Sequence, residues 1–393
     1  LGAKLGKLDA TLIQESVDRI FSSPLLRDGL WSAYIGGPAS PEVTASIILG
    51  LEKAGIPRTD PRVATAWRFY REKGGVKKLH LLFRMLLTAL GAAERKSLPY
   101  LSPKFLALPK IAPVNFFNLG LARAALVPML VWSHYGEVQD RGGEALPMDP
   151  ERLRSVGLKF GHPISTLFSE SRRIPFLDTL FGFATPDLEH ASSVEELIHL
   201  VMTWADRLTP GNSEFWAQEA IGWMLLTTQE DGTWAGVFQA TALTLLALDQ
   251  ARALQVDDFT AQIDRGWQGL IGWRRRLPNG QVFQQFSEGP IMESARILTA
   301  FQADGGTRRT THDSERRLAD YLVGKQIHGD GDWMYRQPRL QPGGWAYQKF
   351  NSRYPDIDDT AMVLEGLAGT NRHGEHDIRE AISSGTNWMI GMQ

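Results

Sequence analysis

Two stretches of this chain share one pattern, in which an apolar helical residue is followed five positions later by glutamine and then by Gly-x-Trp. Met224 to Trp234 reads MLLTTQEDGTW, and Tyr321 to Trp333 reads YLVGKQIHGDGDW. Another copy begins at Trp388 as WMIGMQ, and a weaker one without the glutamine is Arg27-Asp28-Gly29-Leu30-Trp31. A repeat of this kind restricts the chain to an architecture in which one helical unit stacks on the next. Gly232 and Gly331 let the backbone leave a helix in a left-handed conformation. Trp234 and Trp333 can then cover the next helix end, while the amides of Gln229 and Gln326 satisfy loose backbone groups there. The expected result is a set of helical hairpins stapled into a toroid.

The rest of the chain agrees with an all-α fold. Apolar residues fall at three-and-four spacing over Glu195 to Leu208, Gln218 to Thr228, Ala240 to Leu254 and Asp359 to Leu367. Short punctuation such as Leu277-Pro-Asn-Gly280 and Gln341-Pro-Gly-Gly344 separates them. At 393 residues the chain can hold two domains, each with its own core. A net charge of −2 with no single-sign block gives no footprint for nucleic acid. The absence of cysteine excludes disulfides, thiolate zinc sites and a cysteine nucleophile, and it fits a reducing compartment. The chain opens at Leu1 rather than Met, so its first residues are expected to be missing or removed.

Membrane spanning is not expected. The most apolar stretch, Phe116 to Trp132, is interrupted by Asn118, Arg123 and Pro128 and is short for a bilayer. The run from Phe176 to Phe183 suits either a membrane surface or a buried helix.

The chemistry concentrates in Tyr354-Pro355-Asp356-Ile357-Asp358-Asp359-Thr360-Ala361-Met362. Three carboxylates at the head of an apolar-periodic segment read, at their plainest, as a helix start with Asp as N-cap. Once solvent is reduced, their mutual repulsion also keeps a proton on at least one of them at neutral pH. A protonated carboxyl with anionic neighbours can deliver a proton to a very weak base.

Repeats and acidic motif together resemble the squalene-hopene cyclases and related class II triterpene cyclases. Pro342-Gly-Gly-Trp-Ala-Tyr-Gln-Lys-Phe-Asn351 looks like the family's run before the acidic motif, and Val114-Asn115-Phe116-Phe117 with Ala122-Arg123-Ala124 resembles another signature. The resemblance implies two α-toroids, one inserted in the other. Residues 33–287 form the inserted toroid, and residues 1–32 with 288–393 form the acid-bearing one. It further implies a peripheral enzyme on the cytoplasmic face of a bacterial membrane, taking up a linear, squalene-like polyprenoid without cofactor or metal. Asp358 is then the proton donor to an alkene, with Asp356 and Asp359 as its hydrogen-bonded partners. Tyr347, Trp345, Met292 and Leu121 fall where the family lines its cavity.

Leu121 and Met292 replace tryptophans of the hopene cyclases, which removes cation–π stabilisation of about 1–2 kcal/mol each. Hopene itself is therefore doubtful as the product. After Asp359 only residues 360–393 remain, too few to close a toroid, so a second polypeptide is expected to complete it unless the chain is a fragment. Two other readings stay open. A class II cyclase of prenyl diphosphates needs a cationic pocket, for which Arg274-Arg275-Arg276 is the candidate, its plain alternative being a solvated helix end. A non-catalytic toroid binding lipid or protein is the other.

Overall fold

The computed structural model describes residues 1–7, 9–108, 115, 116, 119, 122–148, 194–209, 211–278, 282–303, 309–335, 337–349, 354–370, 372 and 374–393. Among them are α1 (Ala10–Phe21), α2 (Pro41–Lys53), α3 (Pro61–Glu72), α4 (Leu81–Ala89), α5 (Arg123–Asp140), α6 (Val194–Leu208) and α7 (Ser213–Leu226). There follow α8 (Phe238–Ala253), α9 (Thr260–Gly272), α10 (Pro290–Ala303), α11 (Arg309–Val323), α12 (Ile357–Ala368) and α13 (His376–Gly391). The described β-structure is limited to two small antiparallel hairpins, β1–β2 (Leu26–Arg27 and Leu30–Trp31) and β3–β4 (Arg274–Arg276 and Val282–Gln284). The fold is all-α, as the periodicity predicts.

Local chemistry starts these helices. Asp9, Ser40, Asp60, Asn212 and Asp356 each accept a backbone N–H of the helix they precede, and Pro41 and Pro61 occupy the first helical position. The largest core is built around α5 and α8, whose Val127, Leu130, Val131, Leu243, Leu246 and Leu248 are buried almost completely. A second core gathers Ile291, Leu298, Leu322, Trp345, Val363, Leu367 and Ile378 from the helices around the acidic motif.

The repeat is a three-helix unit, seen three times among the described residues: α1–α2–α3, α7–α8–α9 and α11–α12–α13. In each, one indole reaches back to the end of the first helix. Trp31 Nε1 donates to Ile20 O at 3.3 Å, Trp234 Nε1 to Met224 O at 2.6 Å and Trp345 Nε1 to Leu322 O at 2.7 Å. In the second and third units the next helix returns a threonine to the same tryptophan. Trp234 N donates to Thr241 Oγ1 at 3.0 Å and Trp345 N to Thr360 Oγ1 at 2.9 Å. The glycine two residues before each of these tryptophans lies against the third helix, Gly232 on Arg265 and Gly343 on Ser384.

By its indole and threonine bonds, Trp345 within Gly343-Gly344-Trp345 is the counterpart of Trp234. Residues 327–342 separate Gln326 from that Gly-x-Trp, and the glutamine still bridges the gap. Its Nε2 donates to Gly343 O at 2.7 Å and to Ala381 O at 2.9 Å. Gly331 and Trp333 lie in the intervening stretch, where the Trp333 ring meets Trp388 edge to face at 6.3 Å. In the second unit, Gln229 and Gly232 close a tight turn through Gly232 N to Gln229 O at 2.9 Å, with Gly232 at φ 84°.

The N-terminal strip expected to join the acid-bearing toroid touches α2, α3, α9 and both strands of the second hairpin, and Leu5 joins the large core. Val17, Ile20 and Phe21 lie with Trp31, Ile48, Leu51 and Val63, and Glu15 pairs with Arg274 at 2.6 Å and Arg276 at 3.2 Å.

Trp345 and Trp234 rest on glycines of the third helices, Gly385 and Gly266. A Cβ built at Gly385 would stand 2.6 Å from the Trp345 ring, and one at Gly266 would stand 2.9 Å from Trp234. Gly385→Ala is therefore expected to destabilise the fold by about 1–3 kcal/mol through overpacking, read as a lower melting temperature. At Gly272, where a Cβ meets nothing within 4 Å, alanine should be neutral or slightly stabilising.

Candidate active site

The three carboxylates sit at the head of α12, and the backbone sorts them by environment. Asp356 is the N-cap in extended conformation (φ −128°, ψ 164°), its side chain accepting the Asp359 N–H at 2.9 Å. Its own N–H donates to Trp345 O at 3.0 Å, so the repeat's anchoring tryptophan also fixes the first acid. Asp359 lies in the first turn facing inward, 4% exposed, beside the buried Thr360 that holds Trp345. Asp358 points outward and is exposed. The N-cap reading and the acid reading therefore describe the same residue: Asp356 starts the helix and belongs to the carboxyl cluster.

Burial drives the electrostatics. It raises the Asp356 carboxyl to about 8, helped by a side-chain hydrogen bond to Asp359 and by the charges of Asp359 and Asp358. Asp359 is also raised, by burial first and then by Asp358, against the opposing effects of its bond to Asp356 and of the Arg296 charge. The two titrate together, and burial favours a shared proton on the pair.

This has a consequence for stability. A carboxyl whose affinity for a proton is higher folded than unfolded makes the folded state bind more protons between the two values. Stability should therefore fall as pH rises from about 4 toward about 8 and level off above. One proton is involved, so the fall is at most about 1.4 kcal/mol per pH unit, and solvent screening reduces it. Asp356→Asn should remove most of that slope in urea titrations at pH 5 and pH 8, and an unchanged slope would contradict the buried pair.

The other site candidates divide. Trp345 is fully buried, and its indole N–H donates to Leu322 O. Tyr347 is half-buried, its ring so close to Gly289 that a Cβ there would approach it to 2.3 Å. Met292 is half-buried on α10, just beyond Gly289. That helix lies along α12, with Gln302 Nε2 donating to Gly366 O at 2.6 Å. Tyr347 and Met292 both lie at the start of α10. Leu121 and the run 176–183 lie outside the described residues.

The arginine triplet forms strand β3 and not a helix end. Arg274 and Arg276 pair with Glu15, and Arg275 pairs with Glu288 at 2.7 Å. Among the described residues, no group of three His, Asp or Glu side chains is placed to hold a metal, and no helix is long and apolar enough to cross a membrane.

Sequence reasoning missed three contributors. Thr360 was legible only by matching Trp345 to Trp234 and Thr360 to Thr241. Arg296, whose charge reaches Asp359, carries no motif. Arg123 was visible only as part of a signature.

Comparison with known proteins bears on all of this. The profile of the squalene-hopene cyclase N-terminal domain matches residues 1–276, and that of the squalene-hopene cyclase C-terminal domain matches residues 289–393. Squalene–hopene cyclase of Alicyclobacillus acidocaldarius is 28% identical over 386 residues, which cover 96% of this chain and 56% of that protein. Sporulenol synthase of Bacillus subtilis is 25% identical, covering 86% of this chain and 48% of the relative. Squalene hopane cyclase of Aspergillus fumigatus is 24% identical, covering 93% and 47%. The chain spans about half the length of these relatives. The matched domains are α/α-toroids, which agrees with the three-helix units described above.

Proposed function

Because the chain belongs to the squalene-hopene cyclase family, we propose that it carries the acid of a class II cyclase, one that starts ring closure by protonating an alkene of squalene or a related linear polyprenoid. What supports this reading is the crowding of Asp356, Asp358 and Asp359 at the head of α12, where burial raises the affinity of Asp356 and Asp359 for a proton. Asp358, the exposed member, takes up the proton held by the Asp356–Asp359 pair and passes it to the terminal double bond. The alkene π electrons form the new C–H bond, a tertiary cation results, and the carboxylate remains on Asp358. Neighbouring double bonds then attack in sequence, and a final deprotonation closes the reaction. The buried pair keeps proton density at the head of α12, and the N-terminal dipole stabilises the carboxylate left behind.

A dry, prefolded cavity is the other requirement, since water would quench the cation. Tyr347 supplies an aromatic face and Met292 a polarisable one. We place the enzyme at a membrane face, where its apolar substrate resides, and assign the remaining wall of the acid-bearing toroid to polypeptide beyond this chain. The ion pairs that engage Arg274, Arg275 and Arg276 weigh against a prenyl diphosphate as substrate.

The test is to incubate the intact polypeptide, with any chain that completes it, with squalene and separately with geranylgeranyl diphosphate, and to analyse the products by mass spectrometry. Cyclic hydrocarbon from squalene supports the proposal, and cyclisation of the diphosphate alone overturns it. Chelator should leave turnover unchanged. Loss of activity with EDTA and its return with magnesium would favour the diphosphate reading.

A further inference from the structure

We infer that Arg123 is a positioning residue for the acid pair, clamping Tyr354 so that Pro355 stays buried and Asp356 keeps its cap geometry at the head of α12. The inference rests on the assignment of the acid above and extends it to a residue of the other core.

Arg123 is the first residue of α5 and is 5% exposed. Its guanidinium carbon lies 4.1 Å from the centroid of the Tyr354 ring, 5.0 Å from Phe116 and 6.0 Å from Trp223. Phe116 and Trp223 meet edge to face at 5.5 Å and 89°, forming one side of the box. Tyr354, two residues before Asp356, forms the other. The guanidinium is attracted to the negative faces of these three rings. Two of those rings belong to the large core and one to the acid segment, so the guanidinium joins the two.

From the opposite side the same segment is held by the repeat. Asp356 N donates to Trp345 O at 3.0 Å, and Pro355 packs against Gly344, where an added Cβ would stand 2.8 Å from the proline Cβ. A parallel tie lies nearby, Gln348 Nε2 donating to Ala235 O at 3.0 Å within the turn after Trp234. Arg123 therefore closes a clamp whose other jaw is Trp345. The charged groups acting on the acid pair are Asp358 on α12 and Arg296 on α10; Arg123 acts through the Tyr354 ring. Opening the clamp admits water to Asp356 and lowers its hold on a proton.

The test follows the aspartate side-chain carbons of the intact polypeptide by carbon NMR across pH, with Asp356→Asn identifying the Asp356 signal. The parent should titrate near about 8. Arg123→Met and Tyr354→Leu should each move that midpoint down by about one pH unit or more as burial is lost. Arg123→Lys, which keeps a cation over the ring, and Tyr354→Phe, which keeps the ring, should stay near the parent. Tyr354 is half-buried, so its leucine variant is expected to fold even where loss of Arg123 disturbs α5. A parent-like titration in folded Tyr354→Leu or Arg123→Met, with only the melting temperature lowered, overturns the inference and leaves Arg123 a purely structural residue. The titration needs no substrate, so its failure leaves the cyclase proposal standing, and a failure to cyclise squalene leaves this inference standing.

Discussion

Asp358→Asn is expected to reduce cyclisation by about 10²–10⁴-fold or more while the fold persists, because the amide keeps the shape of the carboxyl and lacks its transferable proton. Asp358 is the exposed carboxyl of the three, so the change touches no buried contact. Melting temperature should stay close to that of the parent. Asp356→Asn and Asp359→Asn should also be severe in activity, by another route. Each removes one carboxyl of the pair, and each alters the pH dependence of stability as well. Activity falling with melting unchanged at 358, and both changing at 356 and 359, would separate donor from support. Substantial turnover by Asp358→Asn would move the donor role to the buried pair.

Trp345→Ala should produce the largest loss of stability in the acid-bearing core, about 3–5 kcal/mol. The indole is fully buried, donates to Leu322 O and fills the space above Gly385. Its backbone also holds Thr360 and Asp356. Removing the ring therefore creates a cavity and loosens the turn that carries the acid, so the raised Asp356 carboxyl should drift toward ordinary values. Trp333→Ala removes a buried ring whose main described partner is Trp388, and it should leave the acid's titration unchanged. Denaturant unfolding with carboxyl titration of both variants distinguishes a core tryptophan that builds the site from one that only fills space. Equal titration in the two would mean that the repeat does not support the acid.

How much of the molecule is readable from its sequence depends on spacing. The helices and their caps are legible, since Asp, Ser, Asn and Pro stand where a helix start needs them. The acid cluster is legible for the same reason: an N-cap followed by two first-turn carboxylates is a local pattern, and its chemistry follows from crowding. The third unit holds two such runs: Gly331-Asp-Trp333 stands at the motif distance from Gln326, and Gly343-Gly-Trp345 comes after an intervening stretch. Local distance points to one tryptophan, and the packing of Gly385 and Leu364 to the other. Trp345 reads as a cavity residue, and its indole is bonded to Leu322. The contact of Arg123 with Tyr354 is invisible in the sequence, because it joins residues far apart without a shared motif. The arginine triplet resembles a helix end because nothing local marks the hairpin that β4 completes, or the partners Glu15 and Glu288 that neutralise it.

The central claim, that an acid of this chain starts the reaction by protonating a carbon–carbon double bond, is tested most directly in heavy water. The intact polypeptide, with any chain that completes it, is equilibrated in deuterated buffer and given unlabelled squalene, and the cyclic products are weighed by mass spectrometry. Protonation from an exchangeable carboxyl predicts one deuterium in every cyclised molecule, bound to carbon at the initiating end, and loss of that product in Asp358→Asn. Cyclic product free of deuterium would contradict the account.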